Sequence, residues 1–168
     1  MTGPINVLVL CTGNSARSIL GEVIVNRLGE GRFRGFSAGS FPKGEVHPGA
    51  LRLLARYRYP TEGLRSKSWD EFAGPDAPQL DVTITVCDNA AGEVCPVWPG
   101  RPATAHWGLP DPAAVTGDDA AVDRAFEATH DALERRIARL VELPVRELDA
   151  PELRRRLQAI HEEADAPA

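Results

Sequence analysis

Apolar positions recur along this chain with two different periods. Ile5 to Leu10 (INVLVL) is a near-continuous apolar, β-branched run, the pattern of a parallel strand covered on both faces. From Arg17 to Leu28 the spacing changes. Leu20, Val23, Ile24 and Leu28 fall at steps of three and four, a helical stripe. Phe33 to Ala38 reads as a second strand. HPGALRLLARY predicts a helix with Pro48 in its first turn and Leu51 and Leu54 facing inward. Asp81 to Val86 (DVTITV) is a strong third strand, and Thr104 to Trp107 a weaker fourth. A long helix is expected over Asp119 to Leu140, with Val122, Phe126, Thr129, Leu133, Ile137 and Leu140 on one face and Asp118 and Asp119 suited to its N-terminus. Strands alternating with helices predict an α/β fold with a parallel sheet.

Beyond Leu143-Pro144 the pattern changes again. DAPELRRRLQAIHEE is a charged helix with only Leu153, Leu157 and Ile160 on one face. This predicts a body over 1–143 and a C-terminal helical tail over 144–168. The tail either docks on the body or offers its stripe to a partner, so a monomer or a weak dimer is expected. The proline- and glycine-rich stretch from Cys95 to Pro112 reads as loop around the short fourth strand.

Composition narrows the function. A length of 168 residues, 43% apolar content and a net charge of −5 fit an ordinary soluble protein. The acidic balance gives no electrostatic reason to expect nucleic acid or an anionic membrane as partner. No stretch is long enough to span a bilayer. MTGPINVLVLC lacks a basic leader and a small-residue cleavage site, so no signal peptide is expected and the cytoplasm is the predicted setting. Cys11, Cys87 and Cys95 are too few and too oddly numbered for a disulfide framework.

Candidate chemistry begins where the first strand ends. VLVLCTGNSARS puts Cys11 at a strand end, with Thr12, Gly13, Asn14, Ser15 and Ala16 leading into a helix that opens with Arg17 and Ser18. Such a turn aims several backbone N–H groups at one point. Gly13 and Asn14 tolerate unusual dihedrals. Ser15 is a candidate cap or thiolate partner, and Arg17 offers a planar fork to two oxygens of a tetrahedral oxyanion. Amide dipoles and a nearby guanidinium lower a thiol's pKa from about 8.5 to roughly 3.5–7.5. Cys11 is therefore a candidate nucleophile facing a bound oxyanion. The absence of Gly-Lys-Ser/Thr excludes a Walker-type nucleotide loop.

These residues resemble the phosphate-binding loop of low-molecular-weight protein tyrosine phosphatases and of the thioredoxin-coupled arsenate reductases that share their fold. The resemblance runs from about residue 5 to 142. It implies a four-stranded parallel sheet in the order 2-1-3-4 with helices on both faces. The first and third strands would then adjoin at the topological switch point, where open α/β sheets bind ligands. Cys87 ends DVTITVC as Cys11 ends INVLVLC, and CDNAAGEVCP resembles the reductases' paired-cysteine segment.

That resemblance implies a three-cysteine relay. Cys11 attacks arsenate, Cys87 attacks Cys11 and expels arsenite, and Cys95 attacks Cys87. Thioredoxin or a similar dithiol donor then reduces the last disulfide. Asp111-Pro112 resembles the acid loop of both families, with Asp111 protonating the departing oxygen. Ala113 and Ala114 follow it where phosphatases for tyrosine substrates often carry aromatics, which favours a small inorganic substrate. The alternative is a low-molecular-weight phosphatase using Cys11, Arg17 and Asp111. His106 and Trp107 read as packing, and Cys-x7-Cys is poor zinc spacing. Some reductases of the family hold potassium near the loop. The matching positions are Asn14, Glu22, Ser68 and Asp70, whose carboxylates can equally be solvated or pair with Arg65 or Lys67. Two departures stand out: Ala16 replaces a cysteine carried by several relatives, and the Cys87–Cys95 gap is one residue longer.

Overall fold

In a computed structural model of the chain, described for residues 3–86 and 102–164, the buried apolar run after Pro4 forms β1, Ile5–Cys11. It continues through Cys11, one residue further than the apolar run alone suggests. Helix α1, Arg17–Gly29, follows and returns the chain to β2, Phe33–Gly39. Helix α2 spans Pro48–Arg56, β3 Val82–Thr85 and β4 Ala103–His106. Helix α3 is Asp119–Leu140, and α4 is Ala150–Ala164. Short 3-10 turns lie at Trp69–Phe72, Pro112–Ala114 and Val145–Glu147.

All pairings are parallel, in the order β2-β1-β3-β4. β1 is therefore a central strand, and its two faces feed two cores. Val7, Val9 and Cys11 face a large cluster with Leu20, Ile24, Leu53, Phe126 and Leu133. Leu8 and Leu10 face a smaller one with Ala38, Trp69, Phe72 and Leu80. A strand buried on both sides needs the unbroken apolar run that INVLVL supplies.

Helix α2 departs from expectation in its phase. Leu51 is 42% exposed, whereas Ala50, Leu53 and Leu54 are fully buried. Three leucines at 51, 53 and 54 span too wide an arc for one face, and packing against α3 selects the arc centred on 50 and 53–54. Its N-terminus is capped by the His47 ring, whose Nδ1 accepts from Gly49 N–H at 2.9 Å. Asp118 caps α3 through the Ala121 N–H.

Helix α4 covers the edge strand β4. Leu153, Leu157 and Ile160 join the larger core. The Gln158 side chain accepts from His106 N–H at 3.1 Å and donates to His106 C=O at 3.0 Å, taking the place of a further strand. Trp107 is buried, and its indole N–H donates to the Leu157 carbonyl at 2.9 Å. Trp107 thus serves packing, while the His106 Nδ1 lies 2.8 Å from Thr85 Oγ1. Among the described residues no helix is long and apolar enough to cross a membrane.

Candidate active site

β1 carries Cys11 to the C-terminal edge of the sheet, and residues 12–16 turn the chain into α1. Asn14 takes φ 45°, the left-handed region that asparagine tolerates best among non-glycine residues. This turn aims its N–H at Cys11 Sγ, 3.2 Å away. Ser18 Oγ lies 2.9 Å from the same sulfur, and Asn14 Nδ2 donates to Ser18 Oγ at 2.6 Å. Donors converging on a sulfur favour its anionic form. Ser18 thus brings a hydroxyl to the thiol. Ser15, the other candidate, lies in the wall of the cavity above.

That cavity, of about 240 Å³, is lined by Cys11, Thr12, Gly13, Ser15, Ala16 and Arg17 together with Phe41, Lys43 and Asp111. Asn14 and Ser18 are fully buried and do not line it. They hold the sulfur from below. No side chain caps α1, so its first turn presents backbone N–H groups in the manner of an anion site.

Arg17 Nη1 donates to the Leu109 carbonyl at 2.7 Å and lies 3.5 Å from that of Val86. Its Nη2 stands 3.6 Å from Asp111 Oδ2. Asp111 in turn caps the turn at Pro112, its Oδ1 accepting from Ala113 N–H at 2.9 Å. The guanidinium and the carboxylate predicted as oxyanion fork and acid therefore share one cavity with the sulfur.

Three segments distant in sequence brace the loop. Phe41 and Lys43 N–H groups donate to the Thr12 and Gly13 carbonyls at 2.9 and 3.0 Å, and His47 N–H donates to Ser15 C=O at 2.9 Å. Ser66 Oγ donates to Gly13 C=O at 3.1 Å, and Lys67 N–H to Asn14 Oδ1 at 2.9 Å. Gly39 lies so close that a Cβ there would collide with the Thr12 carbonyl and with Asn14. Position 39 must therefore be glycine for β2 to approach the loop.

Phe41, Lys43 and His47 carry no local signal in the sequence. Only long-range pairing with the loop brings them to the site. Phe41 stands 72% exposed at the mouth. The pKa of His47 is lowered, first by burial and then by Lys43 and Arg52, with Asp111 opposing.

The four candidate cation ligands are differently engaged. Asn14 Oδ1 accepts from Lys67 N–H. Ser68 Oγ caps its own turn, accepting from Asp70 N–H at 3.1 Å, and Asp70 is exposed. Glu22 accepts from Ser37 Oγ at 2.5 Å and faces Lys67 Nζ at 3.8 Å. Arg65 pairs instead with Glu71, at 2.6 and 2.9 Å. An ammonium group already stands against the Glu22 carboxylate, so these residues do not fit a second cation beside it. Cys87 and Cys95 lie outside the described residues. The adjoining Val86 N–H donates to Leu10 C=O at 2.9 Å.

The sequence model of the family described as low molecular weight phosphotyrosine protein phosphatase matches residues 6–155. An arsenate reductase of Halalkalibacterium halodurans is 30% identical over 136 residues, covering 81% of this chain and 94% of its own. The crystal structure of an arsenate reductase from Archaeoglobus fulgidus superposes with a TM-score of 0.64 at 25% identity, covering 82% of this chain and 99% of that one. A thioredoxin-dependent arsenate reductase of Corynebacterium glutamicum shares the fold, with a TM-score of 0.60 at 20% identity over 84% of this chain and 63% of its own.

Proposed function

Because this chain belongs to the low molecular weight phosphotyrosine protein phosphatase family, we propose that it uses the family's cysteine loop to reduce arsenate to arsenite. The observation carrying this reading is the position of β3. Leu10 pairs with Thr85 and Val86 N–H donates to the Leu10 carbonyl, so the residue that precedes Cys87 in the chain adjoins the strand end that holds Cys11. The name of the Halalkalibacterium halodurans relative supports it too.

The chemistry proceeds in three transfers. Arsenate enters the cavity against the α1 N-terminus and Arg17. The Cys11 thiolate attacks arsenic, an As–O bond breaks, and Asp111 gives its proton to the departing oxygen, leaving a Cys11–arsenate adduct. The Cys87 thiolate then attacks Cys11 Sγ. The S–As electron pair goes to arsenic, which falls from As(V) to As(III) and leaves as arsenite, while two thiols become the Cys11–Cys87 disulfide. Cys95 attacks Cys87, releasing Cys11 as thiolate and moving the disulfide to Cys87–Cys95. Thioredoxin or a similar dithiol donor supplies two electrons to reopen it. A reducing cytoplasm suits this cycle.

A second reading is favoured by one observation. Cys11, Arg17 and Asp111 suffice for phosphomonoester hydrolysis, and Phe41 at the mouth offers an aromatic face to an aryl ring. Arsenate-dependent NADPH oxidation through thioredoxin reductase and thioredoxin separates the two readings. The wild type turns over, Cys87→Ser and Cys95→Ser do not, and all three keep slow aryl phosphate hydrolysis. Equal arsenate-dependent rates in all three proteins would reject the relay.

A further inference from the structure

The Lys67 side chain is 9% exposed and turns inward beneath the loop. Its Nζ donates to the Arg65 carbonyl at 2.8 Å and to the Ser37 carbonyl at 2.9 Å, with Ser37 Oγ at 3.4 Å and Glu22 Oε1 at 3.8 Å. Every one of these contacts is to oxygen. Carbonyl oxygens only accept, so the two carbonyl contacts each take an N–H from lysine, whose ammonium has three to give. Two backbone carbonyls, a hydroxyl and a carboxylate are also the hard-oxygen set that an alkali cation takes.

The same residue reaches the nucleophile through its backbone. Lys67 N–H donates to Asn14 Oδ1, Asn14 Nδ2 to Ser18 Oγ, and both Asn14 N–H and Ser18 Oγ contact Cys11 Sγ. Gly39 N–H in turn donates to the Lys67 carbonyl at 2.9 Å. We infer that the Lys67 ammonium is a built-in monovalent cation. It ties Glu22 of α1 and Ser37 of β2 to the 65–68 segment, and so fixes Asn14 in the left-handed conformation that aims its N–H at the sulfur. Lys67 is thereby a positioning residue, and the loop needs no added potassium. This holds whichever oxyanion the site transfers.

Burial lowers the Lys67 pKa on balance, with Glu22 the largest opposing influence, Arg65 adding to the fall and Glu71 opposing it. Burying an ammonium is costly unless it is paired, and Glu22 supplies the pair.

The test is the pH profile of Cys11 alkylation by iodoacetamide, with the melting temperature, in potassium chloride and in choline chloride at equal ionic strength. Cys87 and Cys95 are replaced by serine so that one thiol reports. In this background both readings are the same in the two salts. Lys67→Ala in choline raises the alkylation midpoint by about one pH unit, and potassium restores part of that shift. Lys67→Arg, which keeps the charge, stays close to the parent in either salt. A parent profile that moves with potassium, or a Lys67→Ala midpoint equal to the parent's in choline, overturns the inference. Should Lys67→Ala not fold, the parent and Lys67→Arg decide: salt-independent profiles in both support it, and potassium dependence in either overturns it. Because the readout uses neither arsenate nor thioredoxin, failure of the reductase reading leaves it intact.

Discussion

The cysteine loop and the tail helix α4 are both buried against the body, yet opposite forces hold them. Residues 12–16 are held by hydrogen bonds from Phe41, Lys43, His47, Ser66 and Lys67. Helix α4 is held by Leu153, Leu157 and Ile160, with Gln158 and Trp107 adding directed contacts. Hydrogen bonds are directional and fix angles, whereas apolar burial fixes area and tolerates small displacements. The loop is thus built for geometry and the tail for stability. Changes in the first should alter reactivity more than folding, and changes in the second the reverse.

The largest effect should come from Arg17→Lys. It keeps the charge but loses the planar fork, and should lower kcat/KM for arsenate by about 10²–10³ while the melting temperature stays near wild type. Steady-state kinetics beside a thermal melt check this. On the other side of the comparison, Leu157→Ala should cost about 2–5 kcal/mol of stability, because the residue is fully buried. Urea unfolding reads that loss. The Cys11 alkylation rate of the folded protein should not change. An equal loss of reactivity would mean that tail and loop are coupled.

Ser18→Ala sharpens the contrast from the loop side. Removing the hydroxyl 2.9 Å from the sulfur should raise the alkylation midpoint of Cys11 by about one pH unit. Unfolding free energy should fall by only about 1 kcal/mol.

The legible parts of the sequence were those set by local patterning. INVLVL announced a central strand, and the 3.6-residue stripes announced α1 and α3. Cys11 and Arg17 were legible because one turn and one helix start carry both. What stayed hidden depends on contacts across the fold. The three leucines of α2 leave its phase open until α3 packs on it. Phe41 and Lys43 reach the loop only by pairing with Thr12 and Gly13. Lys67 lies between two serines in an unpatterned stretch, and only its folded position beside Glu22 and Ser37 gives it meaning. Ser15 is a candidate partner for the sulfur in the sequence because it sits in the loop. The left-handed turn at Asn14 brings Ser18 to the sulfur.

Smaller effects probe regions remote from both. The chain's two tyrosines, Tyr57 and Tyr59, both resist ionisation. Tyr57 is pushed up to about 12, chiefly by its hydrogen bond to Glu127, and Tyr59 is raised chiefly by burial. Absorbance titration should therefore show no tyrosinate midpoint at the ordinary value near 10. The folded state keeps these protons longer than the unfolded chain. The resulting stability is present below pH 10 and is lost as pH rises toward 12. Smallest of all, Glu152→Gln removes the partner of Arg155 and Arg156 at the start of α4, on an exposed surface. Arg155 and Arg156 hold the Glu152 carboxyl down at about 2. Its contribution is present above about pH 4.5 and fades as pH falls toward 2, so the variant should melt slightly lower at pH 7 and equally at pH 2.

The central claim is that sulfur 11 passes its oxidising equivalent to residue 87. A single turnover of Cys95→Ser with one equivalent of arsenate tests it most directly, read by thiol count, arsenite yield and peptide mapping under non-reducing conditions. The expected result is the loss of both remaining thiols, one arsenite per chain and a Cys11–Cys87 disulfide. Two intact thiols with arsenate unreduced would contradict it.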